Sequence, residues 1–180
     1  MIPGLQYYEH VIDFDWEKRI VGFLDSQPWN TTLKRRTQHY GYEYNYRARG
    51  ATKPTTPIHG VLLDIANGLS SKGTIKPEQC IVNEYFIDQG ISAHTDAKSF
   101  GPVIVSISLL EPCNMIFTKG DQKITLTLAP RSMLIFSGEA RTEWKHEIPS
   151  TKTVIMTDGS IYQKPPEYRR ISLTYRTMAQ

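Results

Sequence analysis

Apolar residues recur at two different spacings along the chain, and the spacing changes near Glu78. Before that point they fall three and four apart. Trp16, Ile20 and Phe23 share one face of a predicted helix over residues 15–25, which Asp15 can cap. A turn at 27–30, containing Pro28, ends it. Ile58, Leu62, Ile65 and Leu69 mark a second helix, led by Pro57 and closed by Gly68 and residues 70–73. Between the helices Tyr40, Tyr42, Tyr44 and Tyr46 alternate, which predicts a strand or hairpin, and residues 50–56 read as a loop of small side chains.

After Glu78 the period drops to two. Short strands are predicted at 79–86, 103–110, 115–118, 123–128, 133–136, 143–148, 153–156 and 169–176. Turn residues bound each of them, at 88–90, 101–102, 111–114, 119–121 and 129–132. The pattern predicts a mostly β fold with N-terminal helices, its strands forming a two-sheet sandwich or barrel. No repeat, low-complexity tract or linker interrupts the chain, so residues 1–180 read as a single domain.

Composition narrows the class. With 39% hydrophobic and 22% charged residues, the chain reads as an ordinary soluble globular protein. No apolar run reaches membrane-spanning length, so no membrane partner is expected. The start has neither a basic nor an apolar signal region, so secretion is not expected. Cys80 and Cys113 are too few for a disulfide framework, which predicts free thiols in a reducing intracellular compartment, cytoplasm or nucleus. A net charge of +3 permits a polyanionic partner without requiring one.

Candidate chemistry appears where alternation groups polar side chains. In the last strand Arg170, Ser172, Thr174 and Arg176 share one face, opposite Ile171, Leu173 and Tyr175. That polar face is either the solvent side of an edge strand or the wall of a pocket for an acid, since guanidinium forks grip carboxylates. On strand 79–86, Asn83 and Tyr85 share a face with Ile81. His94 and Asp96 stand two apart, so an extended strand would point an imidazole and a carboxylate the same way. That is two-thirds of a 2-His-1-carboxylate iron site, although a lone pair of this kind also fits an exposed turn. Alternation aims Trp144, His146 and Ile148 inward together, where His146 is either a packed histidine or a further ligand.

Taken in order, Asn83 and Tyr85, His94 and Asp96, His146, and Arg170, Ser172, Thr174 and Arg176 resemble the AlkB family of iron- and 2-oxoglutarate-dependent dioxygenases. Gly138, Glu139, Ala140 and Arg141 are similar to that family's Gly-Glu-Ser-Arg segment. The resemblance spans most of the chain and implies a double-stranded β-helix, or jelly roll, over about 79–177. It implies His94, Asp96 and His146 as ligands of Fe(II), with positions left for 2-oxoglutarate and O2. Arg170 and Tyr85 would hold the distal carboxylate of 2-oxoglutarate, and Asn83 and Arg176 the end near the metal. Ser172 and Thr174 would line the same pocket, Ser172 replacing an Asn of most members with a shorter side chain. Arg141 would act at the mouth, between co-substrate and substrate. The implied reaction hydroxylates a carbon–hydrogen bond and releases succinate and CO2; an N-methyl carbon would leave as formaldehyde.

Residues 30–50 resemble the family's nucleotide-recognition lid, with basic and aromatic side chains interleaved. Tyr42 and Tyr44 are expected to contact a modified base in RNA or DNA, and Arg35 and Arg36 its phosphates. Lys98 stands where repair members carry an acid facing the base, which makes the segment more similar to the tRNA-hydroxylase-like branch. A protein side chain as substrate and an inert jelly-roll binding module are the alternatives. A monomer is expected.

Overall fold

The computed structural model describes the backbone of residues 1–180 and every side chain except those of Ala51 and Thr52. The chain begins with strand β1 (Leu5–Tyr8) and helix α1 (Phe14–Asp25), followed by β2 (Thr37–Tyr40), β3 (Tyr42–Asn45), β4 (Gly50–Pro54) and helix α2 (Gly60–Ser71). Then come β5 (Gln79–Phe86), β6 (Ile91–His94), β7 (Phe100–Leu109), β8 (Cys113–Lys119), β9 (Gln122–Leu128) and β10 (Ser132–Phe136). Short helix α3 (Gly138–Thr142), β11 (Lys145–Ile148), β12 (Thr153–Ile155), β13 (Ile161–Gln163) and β14 (Arg169–Met178) complete it.

Six strands form one antiparallel sheet in the order β1-β10-β7-β14-β5-β2, and four form a second in the order β6-β11-β8-β9. Alternation decides what each face of the larger sheet meets. Cys80, Val82, Ile171, Leu173 and Tyr175 point outward and pack under α1 and α2, against Ile20, Leu24 and Leu62. Burial of side chains as large as Ile171 and Leu173, neither of them exposed, stabilises this layer by roughly 1.5–3 kcal/mol each. On the other face Ile104, Leu134 and Phe136 meet Met115, Phe117, Leu128 and Ile148 of the smaller sheet. Neither sheet closes on itself, so the fold is mostly β, with N-terminal helices and several antiparallel sheets. No helix among the described residues is long and apolar enough to cross a membrane.

Several expectations change. β14 lies between β7 and β5, so the edge-strand explanation of its arginines fails. Helix α1 is capped by Asp13 rather than Asp15: the extended backbone at Asp13 lets its carboxylate accept from the Trp16 amide at 2.8 Å. Helix α2 starts at Gly60, leaving Pro57 and Ile58 outside; Gly60 has φ 58° and abuts the Phe23 ring, where a Cβ would clash. Residues 50–54, expected as loop, form β4, because β3 needs a partner for its backbone groups. The tyrosine ladder is also broken. At φ 79° and pressed on the Glu78 carbonyl, Gly41 turns the chain, so Tyr40 joins the helix-side core while Tyr42 begins a separate hairpin.

Candidate active site

Strands β6 and β11 pair so that His94 lies directly opposite His146, with ring centroids 4.4 Å apart. Strand β6 ends at His94, and Asp96 lies in the loop before β7. The convergence therefore comes from a cross-strand pair and a loop, not from alternation along one strand. Asp96 Oδ1 is 3.8 Å from His94 Nε2 and 3.5 Å from His146 Nε2. Its Oδ2 accepts a hydrogen bond from Arg176 Nε at 2.6 Å, which leaves Oδ1 facing the imidazoles. Burial opposes charge on Asp96, yet Arg176 and the two histidines outweigh it and hold the carboxyl below its usual range. His94 Nδ1 lies 2.7 Å from the Ser92 carbonyl; a proton donated there leaves the Nε2 lone pair free to bind a metal. Burial pushes His146 down to about 4, so its imidazole is neutral near pH 7.

One ligand atom from each of the three lies within 4.8 Å of the others. Two imidazoles and one carboxylate crowded together on one side form a 2-His-1-carboxylate facial triad, a donor set suited to Fe(II) with open positions opposite.

Behind the triad, Asn83, Tyr85, Ser106, Arg170, Ser172, Thr174 and Arg176 line a narrow chamber between the sheets, with a volume of about 60 Å³. Arg170 is 1% exposed and donates to Ser108 Oγ at 2.8 Å, and its guanidinium lies 5.3 Å from the Tyr85 ring. Its Nε is buried with no partner, and no carboxylate pairs with the side chain among the described residues. A buried guanidinium in that state carries a large desolvation penalty, and a small acid entering the chamber would relieve it. The residues thus fit both groups that the sequence implied.

In front, the space widens to a cleft of about 450 Å³ lined by Leu33, Arg35, Tyr44, Tyr46, Arg49 and Phe100. Arg35 Nε donates to Asn83 Oδ1 at 3.0 Å, so this arginine bridges cleft and chamber. Tyr44 stacks on Phe100 with centroids 6.0 Å apart and meets Tyr46 edge-on at 4.8 Å. Three residues with expected substrate roles lie elsewhere. Arg36 turns to the helix side, donating to buried Glu84 at 2.6 and 2.8 Å, because successive residues there point to opposite faces. Tyr42 is paired with Pro54 in the hairpin and does not line the cleft. Lys98 lines a separate groove with Lys76 and Thr177, across the loop that carries Asp96.

Arg141 is drawn away from the mouth. Its guanidinium donates to four carbonyls, those of Ala97 at 2.7 Å, Asp96 at 2.9 Å, Gly101 at 3.2 Å and Phe100 at 3.3 Å. It clamps the loop that presents Asp96. Tyr46, Arg49 and Phe100 were not among the candidates. Tyr46 lies on the tyrosine alternation, on the face of Tyr44, which is the signal that marks it; Arg49 at φ 53° and Phe100 carry no such signal.

A profile of the 2OG-Fe(II) oxygenase superfamily matches residues 22–176. An Arabidopsis thaliana protein named "Alkylated DNA repair protein ALKBH8 homolog" is 34% identical over 97% of this chain and 58% of its own length. A Macaca fascicularis protein named "tRNA (carboxymethyluridine(34)-5-O)-methyltransferase ALKBH8" is 36% identical over 83% of this chain and 25% of its own. The chain thus spans little more than half of the first relative and a quarter of the second. Among solved structures, that of OsALKBH1 superposes with a TM-score of 0.68 at 18% identity, covering 98% of each chain, which is a likeness of fold.

Proposed function

The chain belongs to the 2OG-Fe(II) oxygenase superfamily, with relatives of the AlkB type, and from that premise we propose that it is an Fe(II)- and 2-oxoglutarate-dependent dioxygenase acting on a modified base in RNA or DNA. The observation that carries the reading is the pairing of a facial triad at one end of the chamber with a buried Arg170 at the other, whose Nε has no partner and which no carboxylate neutralises among the described residues. His94, His146 and Asp96 would hold the metal, which when bound supplies the oxidation of a carbon–hydrogen bond at the expense of O2 and 2-oxoglutarate. Arg170 anchors the distal carboxylate, with Tyr85, Ser172 and Thr174 beside it. Asn83 orients the near end and is itself oriented by Arg35. Arg176 fixes which oxygen of Asp96 faces the metal.

In the cleft, Tyr44 and Tyr46 offer ring faces to a base, and Arg35 and Arg49 offer charge to its phosphates. We assign the chain to the tRNA-hydroxylase-like branch on the strength of the sequence position of Lys98 and of the tRNA in the name of one relative, although the activity that name prints is methyl transfer. We read the core as a double-stranded β-helix; the division of strands as β5, β7, β10 and β14 against β6, β8, β9 and β11 supports this reading. We take the chain to act as a single-domain monomer in a reducing intracellular compartment, consistent with its two buried free thiols.

Anaerobic addition of Fe(II) and 2-oxoglutarate should give the weak visible charge-transfer band of such a site. Arg170→Met should weaken 2-oxoglutarate by about ten- to a hundredfold, the value of a lost charge-assisted pair, with the fold intact. Wild-type co-substrate affinity in that variant would show that the arginine strand is misassigned. A screen of methylated DNA, RNA and nucleosides, read by succinate release and product mass, identifies the substrate.

A further inference from the structure

Strand β2 edges the larger sheet, and its register on β5 turns Thr37 and His39 to the inward face, opposite Asn83 and Ile81. Directly after β2 the chain turns at Gly41, φ 79°, into the β3–β4 hairpin that carries Tyr44 to the cleft. Gln79 Nε2 holds the start of that hairpin, donating to the Tyr42 carbonyl at 3.1 Å. Farther on, the pairing of β3 with β4 shifts between Glu43 and Tyr44. There the Tyr44 amide reaches back across the turn and donates to His39 Nδ1 at 3.2 Å.

This bond fixes the state of the imidazole. A backbone amide can only donate, so Nδ1 presents its lone pair, and the proton of the neutral ring sits on Nε2, 3.2 Å from Thr37 Oγ1. Burial pushes His39 below its ordinary value; Glu43 on the hairpin pulls it back and Arg176 of β14 adds to the lowering, so the ring is uncharged near pH 7. The Tyr46 ring meets the same imidazole edge-on, with centroids 6.0 Å apart. His39 does not line the cleft, yet it touches both tyrosines that do. A glycine turn leaves the angle of a hairpin loosely set, because glycine adopts many backbone conformations. A hydrogen bond formed across the turn removes that freedom, and a shift in strand pairing is a common device for aiming a side chain.

We propose that His39 is a positioning residue for the prime substrate: by accepting the Tyr44 amide across the Gly41 turn, it sets the angle of the hairpin and aims the Tyr44 ring at the base entering the cleft. This rests on the reading of the cleft given above. His39 touches neither the base nor the chamber, so it governs the prime substrate through Tyr44 and leaves the co-substrate alone.

Three variants separate this role from one of filling space. His39→Asn puts an amide oxygen near the position of Nδ1, His39→Gln carries its oxygen on toward Nε2 and Thr37, and His39→Leu keeps the bulk with no acceptor. The probe is a single-stranded oligoadenylate with a fluorescein label, read by anisotropy in the full chain loaded with Mn(II) and 2-oxoglutarate. His39→Leu and His39→Gln should bind it about three- to tenfold more weakly, up to the value of one stacked base. His39→Asn should bind it as the wild type does. Calorimetric titration should give the same 2-oxoglutarate affinity in all four proteins. If His39→Leu fails to fold, the contrast between Asn and Gln carries the test. Wild-type oligoadenylate affinity in His39→Gln, an equal loss in His39→Asn and His39→Gln, or a parallel loss of 2-oxoglutarate affinity would overturn the proposal and leave the cleft reading standing. A wild-type protein that does not hold the oligoadenylate would sink both.

Discussion

Arg141 offers a direct test of how the metal carboxylate is held. Its side chain is 7% exposed and makes no ion pair; instead it satisfies four carbonyls in the loop from Asp96 to Gly101. The bonds to Ala97 at 2.7 Å and to Asp96 at 2.9 Å are short, and those to Gly101 at 3.2 Å and Phe100 at 3.3 Å are weaker. A hydrogen bond from a charged donor contributes about 1.5–3 kcal/mol, so the two short bonds set the scale at about 3–6 kcal/mol. In Arg141→Met the released carbonyls regain water as the loop loosens, which reduces the net loss to about 2–3 kcal/mol. For a chain of this length each kcal/mol moves the melting temperature by about 2–4 °C, giving a fall of about 5–10 °C. Because the Asp96 carbonyl is one of the four, Mn(II) affinity should fall by about tenfold or more, as it does when groups supporting a metal ligand are removed. Arg141→Lys, which keeps the charge but cannot reach all four oxygens, should lie between the two. Thermal melts with and without Mn(II), together with a direct Mn(II) titration, measure both quantities. An Arg141→Met protein with wild-type melting and metal affinity, altered only in its affinity for the prime substrate, would refute the clamp and return Arg141 to the mouth.

Two further outcomes can be checked. Tyr44→Ala removes the ring stacked on Phe100 at the cleft and should weaken nucleic-acid turnover by about tenfold, the value of one stacked base, while substrate-free succinate formation persists; a matched loss of both would indicate misfolding instead. Hydrogen bonds from Arg169 at 2.6 and 2.9 Å hold the Asp25 carboxyl below its ordinary value of 3.8. A depressed carboxylate stabilises the fold fully above that ordinary value and loses the effect as pH falls through the folded one. The stability read from urea melts should therefore fall more steeply with pH between about pH 5 and pH 3 in the wild type than in Asp25→Asn, and the same dependence on pH in both would count against the pair.

Much of the architecture was legible because alternation is a local property. Alternation sorts the faces of strands 79–86 and 169–176: Asn83, Tyr85, Arg170, Ser172, Thr174 and Arg176 line one chamber. Strand β6 is hard to see in the sequence because four residues, Ile91–His94, are too short a run to show a period, and β4 because Gly50 and Pro54 bound it with turn-forming residues. The tyrosine alternation predicts a strand or hairpin without showing where it turns, because nothing in the spacing shows that Gly41 is forced against the Glu78 carbonyl.

The sequence by itself determined the kinds of side chain, the two periodicities and the face each strand residue takes, since backbone geometry sets these within a few residues. Only the tertiary structure decided which faces meet. It placed β14 in the middle of its sheet, so that its arginines look into a chamber and not at solvent. It set His94 across from His146, although Asp96, not His146, is the near neighbour in sequence. It sent Arg35 to the cleft and Arg36 to Glu84, and gave Arg141 to the loop carbonyls. Long side chains settle such choices by the partners within reach, and those partners lie on strands far away along the chain.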